Sequence, residues 1–314
     1  MKVAKVSGRL LSLLVCSVAL TSCGQRRDVQ QPDTVAVHPS PSSSATTPDS
    51  TNNGWDERAG TFFIVPGSSA ESALVIYPEY SSDQSIEAAH FDIRRAANAS
   101  VELTRDGETL GSARLTNVVV DQVEDCSAWP RAQVVSNGPG QSIPTDWSVG
   151  LASSVRRFPL AQLAHMSEKD SVRFTIALAR LASGIADDTS TVFRGRPFVV
   201  RQVTMVRADS LPFLFGEVIR SIDQEAMPLQ EHLTILAEPD ATQVGGYRVA
   251  YFERSTGSEE TVETTELLAA FAPDGVTLQL LVSRELGEGV AYAVFSRDAG
   301  RSWHVRWTSA YAGC

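Results

Sequence analysis

The sequence lacks the short patterns that announce a familiar reaction. Beyond its N-terminal segment it has no GxSxG elbow, Walker loop, HExxH pair or glycine-rich dinucleotide fingerprint. Acyl transfer from a serine elbow, nucleotide hydrolysis, zincin-type proteolysis and hydride transfer therefore lack their usual groundwork. The five histidines, His38, His90, His165, His232 and His304, are scattered without an i, i+4 partner, so no metal set is indicated. No CxxC spacing occurs, which removes a redox-exchange pair. No internal repeat of fixed period is visible, and there is no excess of cations. The formal net charge is −10, and setting aside Lys2, Lys5 and Arg9 in the first 22 residues, which hold no acid, takes it to −13. So acidic a chain repels phosphate backbones, and nucleic acid is not expected as a partner.

What is present is a chain of 314 residues, 43% hydrophobic and 20% charged, long enough for one large folded domain or two. It begins MKVAKVSGRLLSLLVCSVALTSC. Three cations precede Leu10 to Leu20, an apolar run of about a dozen residues, short of the ~20 a helix needs to span a bilayer. That is the build of an export signal. Its end, Leu20, Thr21, Ser22 and Cys23, resembles the lipobox of bacterial lipoproteins: an aliphatic residue, two small residues, then cysteine. The resemblance implies that a diacylglyceryl group is attached to the Cys23 sulfur, that a signal peptidase cuts before it, and that the mature chain starts there. The partner it implies is a lipid bilayer, reached through acylated Cys23, and the location is the cell membrane or an outer membrane. Gly24 stands where some diderm lipoproteins carry a retention aspartate, which favours onward transport where an outer membrane exists.

Five segments follow from composition. Residues 1–22 are the signal and 23–54 an anchor and tether, rich in Pro, Ser, Thr, Asn and Gln without a period of 2 or 3.6. Some 30 residues at ~5–6 Å × √n hold the folded part roughly 30 Å from the anchor on average. Residues 55–136 are β-rich: TFFIVP (61–66), SALVIYPEY (72–80), a hairpin SVELTRDGETLGSARL (100–115) turning at Asp106-Gly107, and SAWPRAQVV (127–135). A helix is expected at 84–97 from Ile86, Ala89, His90, Ile93 and Ala97. Residues 137–189 open with the breaker-rich SNGPGQSIPTDW and hold the main helix, over 168–183. Its start is the capping pair Ser167 and Asp170, and its stripe is Leu178, Leu181, Ala182 and Ile185.

From 190 to 314 the pattern is an antiparallel meander. Its runs are PFVVRQVTMVRA, FGEVIRSID, HLTILAE, YRVAYFERS, ETTELLAAFA, VTLQLLVSREL, GVAYAVFSR and WHVRWTSAY, with turn chemistry at Pro273-Asp274-Gly275 and Asp298-Ala299-Gly300. The expected fold class is thus α+β and mainly antiparallel β, with a β-rich N-terminal part, one central helix and a C-terminal meander. The last turn, SRDAGRSW, resembles the Asp box of sialidase-like propellers and several unrelated β proteins. Ser296, Asp298, Gly300 and Trp303 fill its four defining places. The resemblance implies a structural turn, in which Asp298 accepts backbone N–H bonds, Gly300 takes a left-handed conformation and Trp303 lies over the result. In those families the box sits away from the active site, so it assigns no catalytic role here, and one copy without an arginine cluster departs from sialidases.

Export leaves Cys126 and Cys314 as one pair in an oxidising compartment. A disulfide between them is expected, two free thiols or a mixed pairing being the alternative. Asp223, Glu225, Glu231, His232 and Glu238 form the densest titratable stretch. Carboxylates so spaced could serve as acid and base or hold Ca²⁺, or be the chance cluster an acidic chain produces. Arg194, Arg196 and Arg201, beside Pro197-Phe198, could clamp an anion or pair with acids of a neighbouring strand. No catalytic residue, metal or cofactor is assigned. The expectation is a membrane-anchored extracytoplasmic lipoprotein with a binding or structural role toward an envelope protein or small ligand. The alternatives are a tethered hydrolase and a small-ligand carrier or sensor.

Overall fold

The computed structural model describes residues 54–82, 90–120, 129–138, 140–152, 155–185, 192–208, 212–222, 228–242, 246–287 and 289–312. Outside them lie the export signal, Cys23, the tether up to residue 53, residues 84–89 of the helix expected at 84–97, Cys126 and Cys314, and two of the acids singled out above, Asp223 and Glu225. Of residues 90–97, Ile93–Arg95 form one 3-10 turn.

Six strands close into a barrel. They are β1 (Phe63–Pro66), β2 (Ser72–Ile76), β3 (Ser100–Arg105), β4 (Glu108–Val119), β5 (Arg131–Ser136) and β6 (Val149–Leu151), arranged β1-β2-β5-β4-β3-β6. The β3–β4 turn forms where Asp-Gly requires it, with Asp106 and Gly107 at φ 50° and 79°. Closure rests on the three residues of β6, which pair with β1 through Phe63 and Ile64 and with β3 through Glu102, Leu103 and Thr104. Gly150 is needed there because a Cβ would come within 2.5 Å of the Ile64 side chain and 3.2 Å of that of Leu103. Those two side chains occupy the space where the closing strand turns inward.

Two five-stranded antiparallel sheets follow. β7 (Arg156–Arg157) pairs with β13 of one sheet, and β8 (Leu160–Gln162) pairs with β9 of the other, so the segment 156–162 crosses between them. After α1 (Glu168–Ile185), the sheet β12-β11-β10-β9-β8 is built from β9 (Val199–Val206), β10 (Phe213–Ile222), β11 (Leu229–Pro239) and β12 (Tyr247–Gly257). The sheet β16-β15-β14-β13-β7 uses β13 (Thr264–Ala272), β14 (Gln279–Leu286), β15 (Gly289–Arg297) and β16 (Trp303–Thr308). Among the described residues the architecture is therefore mainly antiparallel β with one α-helix. The eight C-terminal strands fall where the sequence puts them, but they divide four and four between two sheets. Segment 137–189 also contributes β6, β7 and β8, whose two or three residues are too few to show a period.

The layers explain the long apolar runs. Residues alternating along β13 to β16 send Phe271, Leu281, Val294 and Trp307 toward the barrel core, and Ala270, Leu280, Phe295 and Trp303 toward the other sheet. Along β9 to β11, Val206, Phe213, Phe215 and Leu236 face that same inter-sheet core, and Met205, Leu214, Leu233 and Ile235 face α1. Both faces of both sheets are covered, so FLFG, LTILA and LLAAFA read as continuous hydrophobics. The helix buries Phe174, Leu178 and Ala182. Burial of the two larger side chains contributes about 1.5–3 kcal/mol each. At its start the Ser167 hydroxyl accepts the Asp170 N–H at 3.2 Å and donates to the Asp170 carboxylate at 2.9 Å. At its end Arg254 donates to the Ile185 carbonyl at 3.3 Å.

Candidate functional site

Charged residues inside buried strands are the features that packing alone does not account for. Alternation from Phe213 and Phe215 turns Glu217, with no exposed side-chain surface, toward the second sheet. In β9 the register shifts beside it: Glu217 pairs with Gln202 and Val218 with Val200, leaving Arg201 as the extra residue of a bulge. The bulge aims Arg201 at Glu217, 2.9 Å away, and Gln202 at the Thr265 carbonyl of the second sheet. The other Glu217 oxygen is 2.8 Å from His232 Nδ1, and His232 Nε2 is 2.9 Å from Gln230 Oε1. Thr234 donates to Thr265 at 3.1 Å, and Arg284 of β14 donates to Glu253 of β12 at 2.8 and 2.6 Å. This end of the inter-sheet space is polar, and its groups tie one sheet to the other.

On the helix side the arrangement is different. Arg220 and Glu231, cross-strand neighbours, meet at 2.5 Å with both side chains buried. The Arg220 guanidinium also donates to the Phe193 carbonyl at 3.1 Å and lies over Phe198, 4.7 Å from its ring centre. Arg254 adds a second cation to Glu231 at 3.3 Å. Glu238, near the far end of β11, accepts from Arg297 at 2.8 Å and from the Trp303 indole at 2.9 Å.

The acidic stretch is thus split up. Glu231 faces the helix, while His232 and Glu238 face the second sheet at opposite ends of β11, about 20 Å apart along an extended strand. Each has its own partners, and Asp223 and Glu225 lie outside the described residues. Among the described residues no group of three or more His, Cys, Asp or Glu could hold a metal ion. Of the other histidines, His165 is 4.0 Å from Asp106, His90 and His304 are exposed, and His38 lies outside the described residues. Arg201 is taken by Glu217, whereas Arg194 and Arg196 are exposed and their side chains make no ion pair or hydrogen bond among the described residues.

At the last turn, Asp298 accepts the Ser302 N–H on its carboxylate at 2.9 Å, and its own N–H donates to the Ser302 carbonyl at 2.9 Å. The left-handed residue is Arg301, at φ 62°, and not Gly300. Gly300 matters through space instead, since a Cβ would stand 3.2 Å from the Asp298 carboxylate. Trp303 does not cover the turn; it inserts between the sheets, 5.1 Å from Phe213 ring to ring. Sequence reading missed Glu217, Arg220, Arg254 and Arg284. Their one signal is a charge set inside a run such as FLFGEVIR or LLVSREL, which burial permits only with a partner.

Burial shifts two further acids near the polar end. Desolvation pushes the Glu263 carboxyl above its ordinary value, against the pull of Arg284. Glu266 is raised by burial and then by Glu285, against Arg201. No family model, curated protein or solved structure matches this chain.

Proposed function

We propose that this chain is an exported lipoprotein held to a membrane by acylated Cys23, and that its folded part is a non-catalytic binding or structural module of the cell envelope. In this reading the fold is α+β, a β-rich N-terminal barrel and a C-terminal pair of sheets with the helix between them in sequence. The anchor rests on the order of cations, apolar run, Leu20-Thr21-Ser22 and Cys23. The non-catalytic part rests on one observation: both Glu217 oxygens are engaged, by Arg201 and His232, and both His232 nitrogens are engaged in turn. A general acid or base needs a proton or lone pair aimed at a substrate. Here those valences are spent within the protein.

A disulfide between Cys126 and Cys314 belongs to the same proposal. Trp129, three residues after the first cysteine, packs 6.4 Å from Tyr80, and the Tyr80 carbonyl accepts from the Ala310 N–H, four residues before the second. Closing so long a loop is worth up to ~5 kcal/mol in the chain-entropy account. The experiment for the anchor is fractionation in a bacterial host. Two or more acyl chains hold a protein firmly, so the wild type stays with membranes through a high-salt wash, and Cys23→Ala is released.

One observation favours the small-ligand reading as a second choice. At the barrel rim a depression of about 380 Å³ is lined by Leu110, Ser112, Ser136, Gln141, Ser142 and Ile143, with no charged side chain. Hydroxyls and an amide beside two aliphatic groups suit a small neutral polar molecule. Saturable binding of such a molecule, lost in Ser112→Leu, would favour this reading over a purely structural one.

A further inference from the structure

The connection between α1 and β9 presents a basic tip of defined shape. Phe193 and Phe198 are buried on either side of it, 1% and 8% exposed, and both rings stack against Arg220, 5.3 and 4.7 Å from its guanidinium. The Arg196 N–H closes a turn onto the Phe193 carbonyl at 3.0 Å, with Gly195 at φ 76°. Two anchored aromatics thus hold Arg194, Gly195 and Arg196 out into solvent. Val192 and Val199 flank them, 52% and 62% exposed.

Exposed arginines without an ion pair among the described residues also occur elsewhere, at Arg114, Arg131, Arg180 and Arg207, but singly. Arg58, Arg94, Arg105 and Arg173 each sit against an aspartate of their own surface. What distinguishes the tip is that two such arginines stand two residues apart and are bracketed by exposed valines. Cations beside aliphatic side chains are the composition of a membrane-surface contact. Asp187, Asp188 and Asp209, the acids nearest in sequence on either side, lie outside the described residues.

We propose that this tip, residues 192–199, rests on anionic lipid headgroups, Arg194 and Arg196 meeting phosphates and the two valines entering the headgroup layer. The proposal builds on the anchored reading. A tether of about 30 residues reaches roughly 100 Å when extended, so any face of the folded part can be brought to the bilayer. Each arginine at an anionic surface is worth about fivefold in binding, and two about thirtyfold. That is too little to recruit a free protein, yet enough to orient one already held at the high local concentration a tether imposes. The chain's overall acidity does not cancel it, because charges beyond about 8–10 Å are screened at physiological salt.

The test captures residues 24–314, carrying an N-terminal hexahistidine, on vesicles with a nickel-chelating lipid. The bulk lipid is phosphatidylcholine alone or mixed with phosphatidylglycerol. Modification by an arginine-selective dicarbonyl is followed residue by residue by mass spectrometry, with the exposed Arg114 and Arg131 of the barrel as internal controls. The expected result is that Arg194 and Arg196 react at least several-fold more slowly on phosphatidylglycerol vesicles only, that salt restores the rate, and that the controls do not change. In Arg194→Gln the protection of Arg196 falls about fivefold. Equal rates on both vesicles overturn the proposal. So does equal protection by dissolved inorganic phosphate, which would make the tip a site for a free anion. Capture by hexahistidine makes the result independent of lipid at Cys23, so a failure here leaves the anchor reading standing, and the reverse holds as well.

Discussion

The barrel and the two-sheet sandwich are built from similar strands and bury their polar groups in opposite ways. Among the described residues of the six barrel strands, Thr104 is the only buried polar side chain, and it donates to the Val149 carbonyl at 3.1 Å. The sandwich buries Glu217, Arg220, Glu231, His232 and Glu238, all of them charged or chargeable. A closed barrel fixes its own register, because a slipped strand would leave the ring open. Two open sheets facing each other have no such constraint. Ion pairs that reach across strands and between sheets supply one.

The largest expected effect therefore lies in the sandwich. Arg220→Ala leaves Glu231 buried with only the more distant Arg254, and should cost about 3–5 kcal/mol in urea unfolding. Replacing both partners by apolar residues of similar volume, Arg220→Met with Glu231→Leu, should return most of that loss. A double variant as unstable as the sum of its parts would erase the contrast with the barrel.

In the barrel the matching test is steric. Gly150→Ala drives a methyl group into Ile64 and should cost about 1–3 kcal/mol, and Ile64→Val in the same chain should recover part of it. An unaffected Gly150→Ala would mean that closure at β6 is loose. Ser167→Ala, which removes the cap of α1, should cost about 1 kcal/mol and leave the barrel signal untouched.

The smallest effect is a pH dependence at the β13–β14 turn. Asp274 accepts from the Thr277 hydroxyl at 2.6 Å and from the backbone N–H groups of Val276 and Thr277. Those bonds, the hydroxyl first, hold its carboxyl down at about 2 against an ordinary 3.8. A depressed carboxyl adds stability that is present above the ordinary value and lost as pH falls through the native one. The loss should therefore develop between pH 3.8 and about 2. At so exposed a turn it amounts to under ~1 kcal/mol. Thr277→Val should shift the acid-unfolding midpoint upward; no shift would assign the acid sensitivity to the buried carboxylates alone.

Legibility in the sequence divides along similar lines. The eight C-terminal strands, α1 and the Asp106-Gly107 hairpin could be read directly, because each is long enough for a period or has a turn residue whose backbone demands are narrow. Strands β6, β7 and β8 could not be read, although β6 closes the barrel. Nor could the split of the meander into two sheets, since a connection such as 258–263 looks the same whether the next strand pairs with the last or starts a new sheet. The ionic ties were half visible: Glu231, His232 and Glu238 stood out as a cluster in sequence. Strand alternation and distance along β11 then sent them to separate places, with partners contributed by strands far away in the chain. At the last turn the residue types were right and the division of labour was not, Arg301 taking the conformation expected of Gly300.

The lipid proposed at Cys23 is tested most directly by the mass of the N-terminal peptide of protein isolated from a bacterial host. The result expected is a peptide beginning at Cys23 and carrying a diacylglyceryl group on its sulfur. A free thiol at Cys23, or a mature chain that begins elsewhere, would contradict it.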